Sequence, residues 1–259
     1  MKNLIKGKST KLKSFQNANC LIRCMDNVDF LAEDIKNMGM FPRFNMEDFQ
    51  FLNVKYQGES LEGIYIPMLC FCDIPLKNLS KHKGIYGSYA LAFKREWGYE
   101  NMIAPIHYLF ENTDLFFETK KIFEYAEEKS DSSIYQYLFN KLFFTKPQEG
   151  IQNGIKKLYT DEQEHRYVPD LSKAKTDINQ FYLDTKFDYN LDDLNDAIRN
   201  YDQFKLSFKA NDIKYIILKT QSDKEKIIKT ILNSNRLDNN SQYEMLTKII
   251  TLSEIEEDF

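Results

Sequence analysis

The sequence predicts an α+β fold: a mixed or antiparallel sheet core with a helical insertion and C-terminal helices. Three observations predict it. Apolar runs of strand character dominate residues 20–100 and return after residue 160, a block at 112–144 repeats its apolar residues at helical spacing, and two amphipathic segments close the chain. Strands that bracket a helical block argue for one domain over residues 1–259, with 112–144 an insertion or lid inside it. At 259 residues, 42% of them hydrophobic, the chain is long enough to bury a substantial core.

The elements follow in order. "CLIRCM" reads as a short buried strand. "DNVDFLAEDIKNMG" reads as a helix in which Asp26 caps the start, Leu31, Ile35 and Met38 share a face, and Gly39 provides a left-handed stop. "MFPRF" is an extended exit. "FQFLNVKY" and "GIYIPMLCFCDIPL" are rich in β-branched and aromatic residues and predict two strands joined by a turn across residues 58–63. "NLSKHKGIYG" is a polar connector and "SYALAFKREWG" a further strand. In the helical block, Leu115, Phe116, Ile122, Phe123 and Ala126 recur with one period, and Ile134, Tyr137, Leu138 and Leu142 with the next. After a loop at "TKPQEG", strands are predicted at "EHRYV", "FKLSF" and "IKYIILK", and helices around 227–232 and 245–252.

A net charge of -4 points to neither a nucleic-acid coat nor a membrane-surface protein. Lys2, Lys6, Lys8, Lys11 and Lys13 at one end and the acidic "EIEEDF" at the other read as charged termini. No apolar run reaches the length of a membrane span, and no signal-peptide core opens the chain, so a cytoplasmic, reducing setting is expected. Cys20, Cys24, Cys70 and Cys72 sit in apolar runs, where cysteine acts as a small hydrophobe. Their spacings, C-x-x-x-C and C-x-C, lack the two-residue gap of zinc knuckles, and no metal is expected. "CFCDIP" has no nucleophile-elbow glycines, so Cys70 and Cys72 are poor nucleophile candidates. P-loop and Gly-x-Gly-x-x-Gly patterns are absent from the sequence.

The most charged short stretch is "YTDEQEHRYVP", residues 159–169. Glu162 and Glu164 are two apart, so on a strand both would enter one cleft. The same spacing also suits an acidic edge in which Glu164 only pairs with Arg166. Arg23 is informative because a guanidinium inside an apolar strand needs an anion, such as a structural carboxylate like Asp73 or a bound phosphate. His82, in "SKHKGIYG", has a basic, glycine-containing setting that suits phosphate or plain solvent, whereas His107 sits on a structural stretch. "SKHKGIYGSY" and "FKREW" mix cations with aromatics in a way that suits nucleic acid as acceptor or ligand, although such mixtures are ordinary at sheet edges.

In this order, "LIRCMDNVDFLAEDIKNMGMFPRF", "IPMLCFCDIPLKNLSKHKGIYGSYALAFKREWG", "LYTDEQEHRYVP" and "FKANDIKYIILK" resemble the AbiGi-type abortive phage infection proteins, a bacterial family of phage-resistance factors often described as antitoxin-like. The resemblance spans most of residues 20–220, and its most specific part is "CFCDIP", "YGSYALAF" and "REWG". A weaker resemblance is to the ADP-ribosyltransferase superfamily, some of whose members carry Arg on a first strand, Ser on a middle strand and Glu-x-Glu on a late one. Arg23, Ser88 and "EQE" at 162–164 stand in that order here.

That second resemblance implies NAD as co-substrate. Arg23 would hold the pyrophosphate. Ser88 and Tyr89 would line the pocket, and Tyr86 would stack on nicotinamide. Glu164 would bind the ribose, and Glu162 would orient or deprotonate an acceptor, stabilising an oxocarbenium-like state. The expected function is therefore an anti-phage effector transferring ADP-ribose from NAD to a nucleic acid or protein. The alternative is a catalytically silent antitoxin or regulator that binds a partner protein from a toxin–antitoxin or defence operon. Arg23, where related enzymes often have His, keeps that alternative close.

Overall fold

The structure, a computed structural model, describes residues 18–79, 87–152 and 154–258. "CLIRCM" forms strand β1 (Cys20–Met25), and its alternation is covered on both faces. Leu21 and Met25 enter one apolar core, while Cys20 and Ile22 enter another. The remaining strands of the main sheet are β2 (Arg43–Asp48), β3 (Gly63–Cys72), β4 (Tyr89–Lys94), β5 (Ala104–Pro105), β6 (Glu164–Tyr167), β7 (Tyr182–Leu183), β8 (Ile213–Leu218) and β9 (Ile249–Thr251). They run in the order β9-β8-β4-β1-β3-β6-β5, with β2 and β7 also paired to β3. The pair β8–β9 is parallel and the other pairs of this sheet are antiparallel, so the fold is α+β with a mixed sheet.

Helix α1 (Val28–Asn37) follows β1 and buries Leu31 and Ile35 against the first core. Its caps differ by one residue from the expectation. Asn27, not Asp26, accepts the Asp29 N–H, and Met38, not Gly39, takes the left-handed stop at φ 45°. Gly39 is already in a short strand, 39–40, paired to 206–207. A side-chain oxygen one residue closer to the first turn reaches the free N–H groups better.

The next difference is at "FQFLNVKY", which forms a 3-10 turn (Gln50–Leu52) and then a two-residue hairpin arm (Lys55–Tyr56) against Glu59–Ser60. Phe49, Leu52 and Val54 are buried here by a turn rather than by a ladder. "REWG" similarly leaves its strand: helix α2 (Arg95–Glu100) begins as soon as β4 ends, and Trp97 stacks on Phe93 at 4.1 Å.

The helical block becomes α3 (Asp114–Lys129) and α4 (Ser132–Leu142). Thr113 caps α3 and Asp131 caps α4. Phe116, Phe123 and Ala126 of α3, with Leu138 and Phe139 of α4, share one buried core with Ile64, Ile66 and Met68 of β3. Each such fully buried large side chain contributes about 1.5–3 kcal/mol. Helices α6 (Lys224–Leu232) and α7 (Asn239–Leu246) join α1 on one face, and α8 (Leu252–Asp258) covers the other. The helix expected at 245–252 is thus divided: α7 ends at Leu246, and the β-branched Ile249–Thr251 becomes β9. Helix α5 (Leu191–Ile198), capped by Asn190, was not expected; it packs on Phe44 and Tyr182.

One irregularity positions the site. On one edge of β3, β1 pairs at Cys72 and β2 pairs from Gly63 to Met68, so the two strands lie end to end. Among the described residues no strand pairs with 69–71 on that edge, and the sheet is split there.

Candidate functional site

β6 lies on the opposite edge of β3, with Glu164 beside Cys72 and Arg166 beside Cys70. These rows share a face, which turns Glu164 and Arg166 inward together. Arg166 is fully buried and Glu164 is 4% exposed. Glu162 reaches the same place by another route. It ends a 3-10 turn (Tyr159–Glu162), and Gln163, at φ 44°, swings the chain into β6. The simple picture of Glu-x-Glu alternating along one strand therefore does not hold, because the pair straddles a left-handed step.

Both carboxylates are bound by cations. Glu164 Oε1 lies 2.6 Å from Arg166 Nε, and its Oε2 lies 2.8 Å from Lys146 Nζ. Glu162 lies 2.7 Å from Lys157 Nζ and 3.5 Å from Lys146. Arg166 also meets Glu47 of β2 at 2.8 Å and donates to the Phe143 carbonyl at 3.0 Å. Three carboxylates thus face three cations in the interior, drawn from five separate segments.

The charges tune one another. Burial acts to raise the Glu164 carboxyl, but the charges of Arg166 and Lys146 outweigh it and hold the group well below the usual carboxylate range. Burial likewise opposes the Lys146 ammonium, and Glu47 and Glu164 overcome it and push the group up. Tyr108, whose oxygen accepts the Glu164 N–H at 2.9 Å, is pushed up to about 12, chiefly by burial. Glu164 is an ionised carboxylate held between two cations.

Arg23 comes from the other side of the sheet. It follows Ile22, which is in register with Cys72, so its side chain points to the face of α1. There its Nε lies 3.5 Å from Asp34 Oδ2. Asp34 is the carboxylate that Arg23 finds, and not Asp73, which pairs with Arg95 instead. Arg23, Glu162 and Glu164 nonetheless border one cleft of about 410 Å³, because the split beside residues 69–71 opens one face to the other. Arg43, Asn45 and Glu47 of β2 form its far wall.

The other expected residues lie elsewhere. Ser88 precedes β4, and Tyr89 packs against the α1 core, where burial raises its phenol. Neither lines the cleft. Tyr86 and His82 fall outside the described residues. His165 turns away from Glu164, its Nδ1 3.1 Å from the Gln163 carbonyl, and burial lowers its pKa. His107 is exposed at the start of a short strand, beside Thr145. Burial pushes the Cys20 thiol up to about 11 and also raises Cys70, while Cys72 is raised first by its hydrogen bond with Cys24 and then by burial. Among the described residues no group of three or more His, Cys, Asp or Glu is placed to hold a metal ion.

Comparison with known proteins decides the family. A family model described as "Putative abortive phage resistance protein AbiGi, antitoxin" matches residues 39–219. The chain belongs to the AbiGi family. It is similar to the abortive phage resistance protein AbiGi of Lactococcus lactis subsp. cremoris, with 28% identity over 257 residues, covering 86% of this chain and 100% of that protein. No solved structure matches the chain. The AbiGi match contains all six members of the charge network, from Glu47 to Arg166, whereas Arg23 precedes it. No helix of the described residues is long and apolar enough to cross a membrane.

Proposed function

We propose that this AbiGi protein acts in abortive phage infection as a binding component of antitoxin type, holding a partner protein of a defence pair. One observation carries the choice over a transferase. The carboxylates that transfer chemistry would place on the ribose and the acceptor are already bound by Lys146, Lys157 and Arg166 in the interior. A carboxylate with both oxygens on cations brings little net negative charge to an oxocarbenium ion. The antitoxin description of the family supports the same reading.

A second reading retains catalysis, favoured by the shared cleft of Arg23, Glu162 and Glu164. In it the sheet is ADP-ribosyltransferase-like, NAD lies along the split with its pyrophosphate on Arg23, and a nucleic acid or protein is the acceptor. It requires Lys146 and Arg166 to release Glu164 when NAD binds.

Incubation of the purified protein with labelled NAD and cell extract, RNA or DNA separates the two. No label transfer and no nicotinamide release, together with a stoichiometric complex between this chain and the product of the adjacent gene, is the expected result. Label that appears with the parent and disappears with Glu164→Gln, a folded variant being verified by circular dichroism, overturns the antitoxin reading.

A further inference from the structure

Helix α3 carries apolar residues on two faces, and only one of them has a partner among the described residues. Phe116, Phe123 and Ala126 are buried in a shared apolar core, Phe116 against Phe51 and Phe123 against Phe139 of α4, which fixes the orientation of the helix. On the other face Leu115, Ile122 and Tyr125 follow one another at helical spacing and are 52%, 41% and 51% exposed. Single exposed apolar residues need no explanation, whereas three on one face of a helix, with Glu118 between the first two, outline a candidate contact surface.

The charges beside the stripe indicate its occupant. Glu118 precedes Ile122 by four residues, and Lys129 follows Tyr125 by four, with both side chains exposed. Two copies of α3 packed antiparallel about a two-fold axis, level with the step from Ile122 to Tyr125, set Ile122 of each against Tyr125 of the other. The same axis brings Glu118 of each copy to Lys129 of the other. Leu115 then packs beside the turn that follows the partner's α3. A parallel arrangement would instead oppose Glu118 to Glu118 and Lys129 to Lys129. In the single chain Lys129 pairs with its neighbour Glu128. Both groups are exposed, and an ion pair of that kind is weak enough to exchange. A two-fold interface must be self-complementary, and this face is.

We infer that the protein forms a homodimer through the exposed face of α3, two antiparallel helices closing over Ile122 and Tyr125. Sedimentation equilibrium of the full chain at micromolar concentration should give twice its 30.8 kDa mass. Ile122→Glu should weaken association at least about 30-fold, as expected on removal of a central anchor. Because Ile122 faces solvent in the single chain, its thermal melt should match that of the parent at protein concentrations low enough for both to be monomeric. Glu118→Lys alone should weaken the dimer, and Lys129→Glu added to it should restore association. A parent that remains monomeric, or an Ile122→Glu variant that remains dimeric, overturns the proposal. Failure of the paired charge reversal to restore association overturns the antiparallel register on which it stands.

Discussion

Arg166 Nε lies 2.6 Å from the carboxylate of Glu164, two residues earlier on the same face of β6, the guanidinium fully buried and the carboxylate nearly so at the edge of the cleft. Removing Glu164 leaves Arg166 with Glu47 and Lys146 with Glu162, so the buried cations share one carboxylate fewer; breaking a buried pair in this way costs up to about 3–5 kcal/mol. Glu164→Ala is therefore expected to lower the unfolding free energy obtained from urea titration by an amount of up to that order, whether or not NAD is present. Replacing both members by leucine should cost less than the sum of the single replacements, since the two side chains are in direct contact and their effects are not independent. Equal melting of Glu164→Ala and parent would show that the pair is open to water in solution.

The pairing of Arg23 with Asp34 gives a pH signature. Burial pushes the Asp34 carboxyl up to about 6, against the opposing pull of Arg23. The folded pKa exceeds the unfolded value of about 4, so between those limits the native state binds more protons than the unfolded chain. The associated stability is fully present below the unfolded pKa and is lost as pH rises through about 6. Relative to Asp34→Asn, the parent should lose on the order of 2–3 kcal/mol across that window. Urea titrations of both proteins on either side of it measure the difference, and parallel curves would contradict the assignment.

The cysteines should behave as core residues. With its thiol pushed up to about 11, Cys20 holds roughly 100-fold less thiolate at neutral pH than an ordinary cysteine. Cys70 is raised in the same direction by burial and Cys72 by its hydrogen bond with Cys24 and by burial, so alkylation of these three should be slow in the native protein and prompt after unfolding. Mass spectrometry of iodoacetamide-treated protein reports each site. Rapid native labelling of Cys70 or Cys72 would reopen a nucleophilic role for "CFCDIP".

What was legible in the sequence was whatever periodicity and burial determine locally. β1, α1, β3, β4, α3, α4 and β8 follow from alternation or helical spacing in their own residues. The misplacements fall where a tertiary contact overrides that pattern: "FQFL" buries its apolar groups through a 3-10 turn, "REWG" turns helical so that Trp97 reaches Phe93, and 249–251 pairs with β8. Within the site, Glu164 and Arg166 were readable as same-face neighbours. Glu47, Lys146 and Lys157 were not, since residues of separate segments carry no local mark of meeting. Arg23 signalled a buried charge, but its partner, Asp34, depended on how α1 packs back over β1.

Gly87 and Gly58 both have positive φ, 95° and 84°, but their surroundings differ. A β-carbon on Gly87 would lie 2.0 Å from the Met25 carbonyl oxygen, where the chain entering β4 crosses the end of β1. One on Gly58 would meet nothing within 4 Å, as this residue turns the hairpin between Tyr56 and Glu59 in open solvent. Gly58→Ala should therefore cost only the conformational term, about 1 kcal/mol. Gly87→Ala adds a backbone collision that no rotamer relieves, and its cost should reach about 3 kcal/mol or more. Thermal melts of the two variants, compared with the parent, separate strain from collision. Equal losses would mean that the β1 and β4 ends stand further apart than the structure places them.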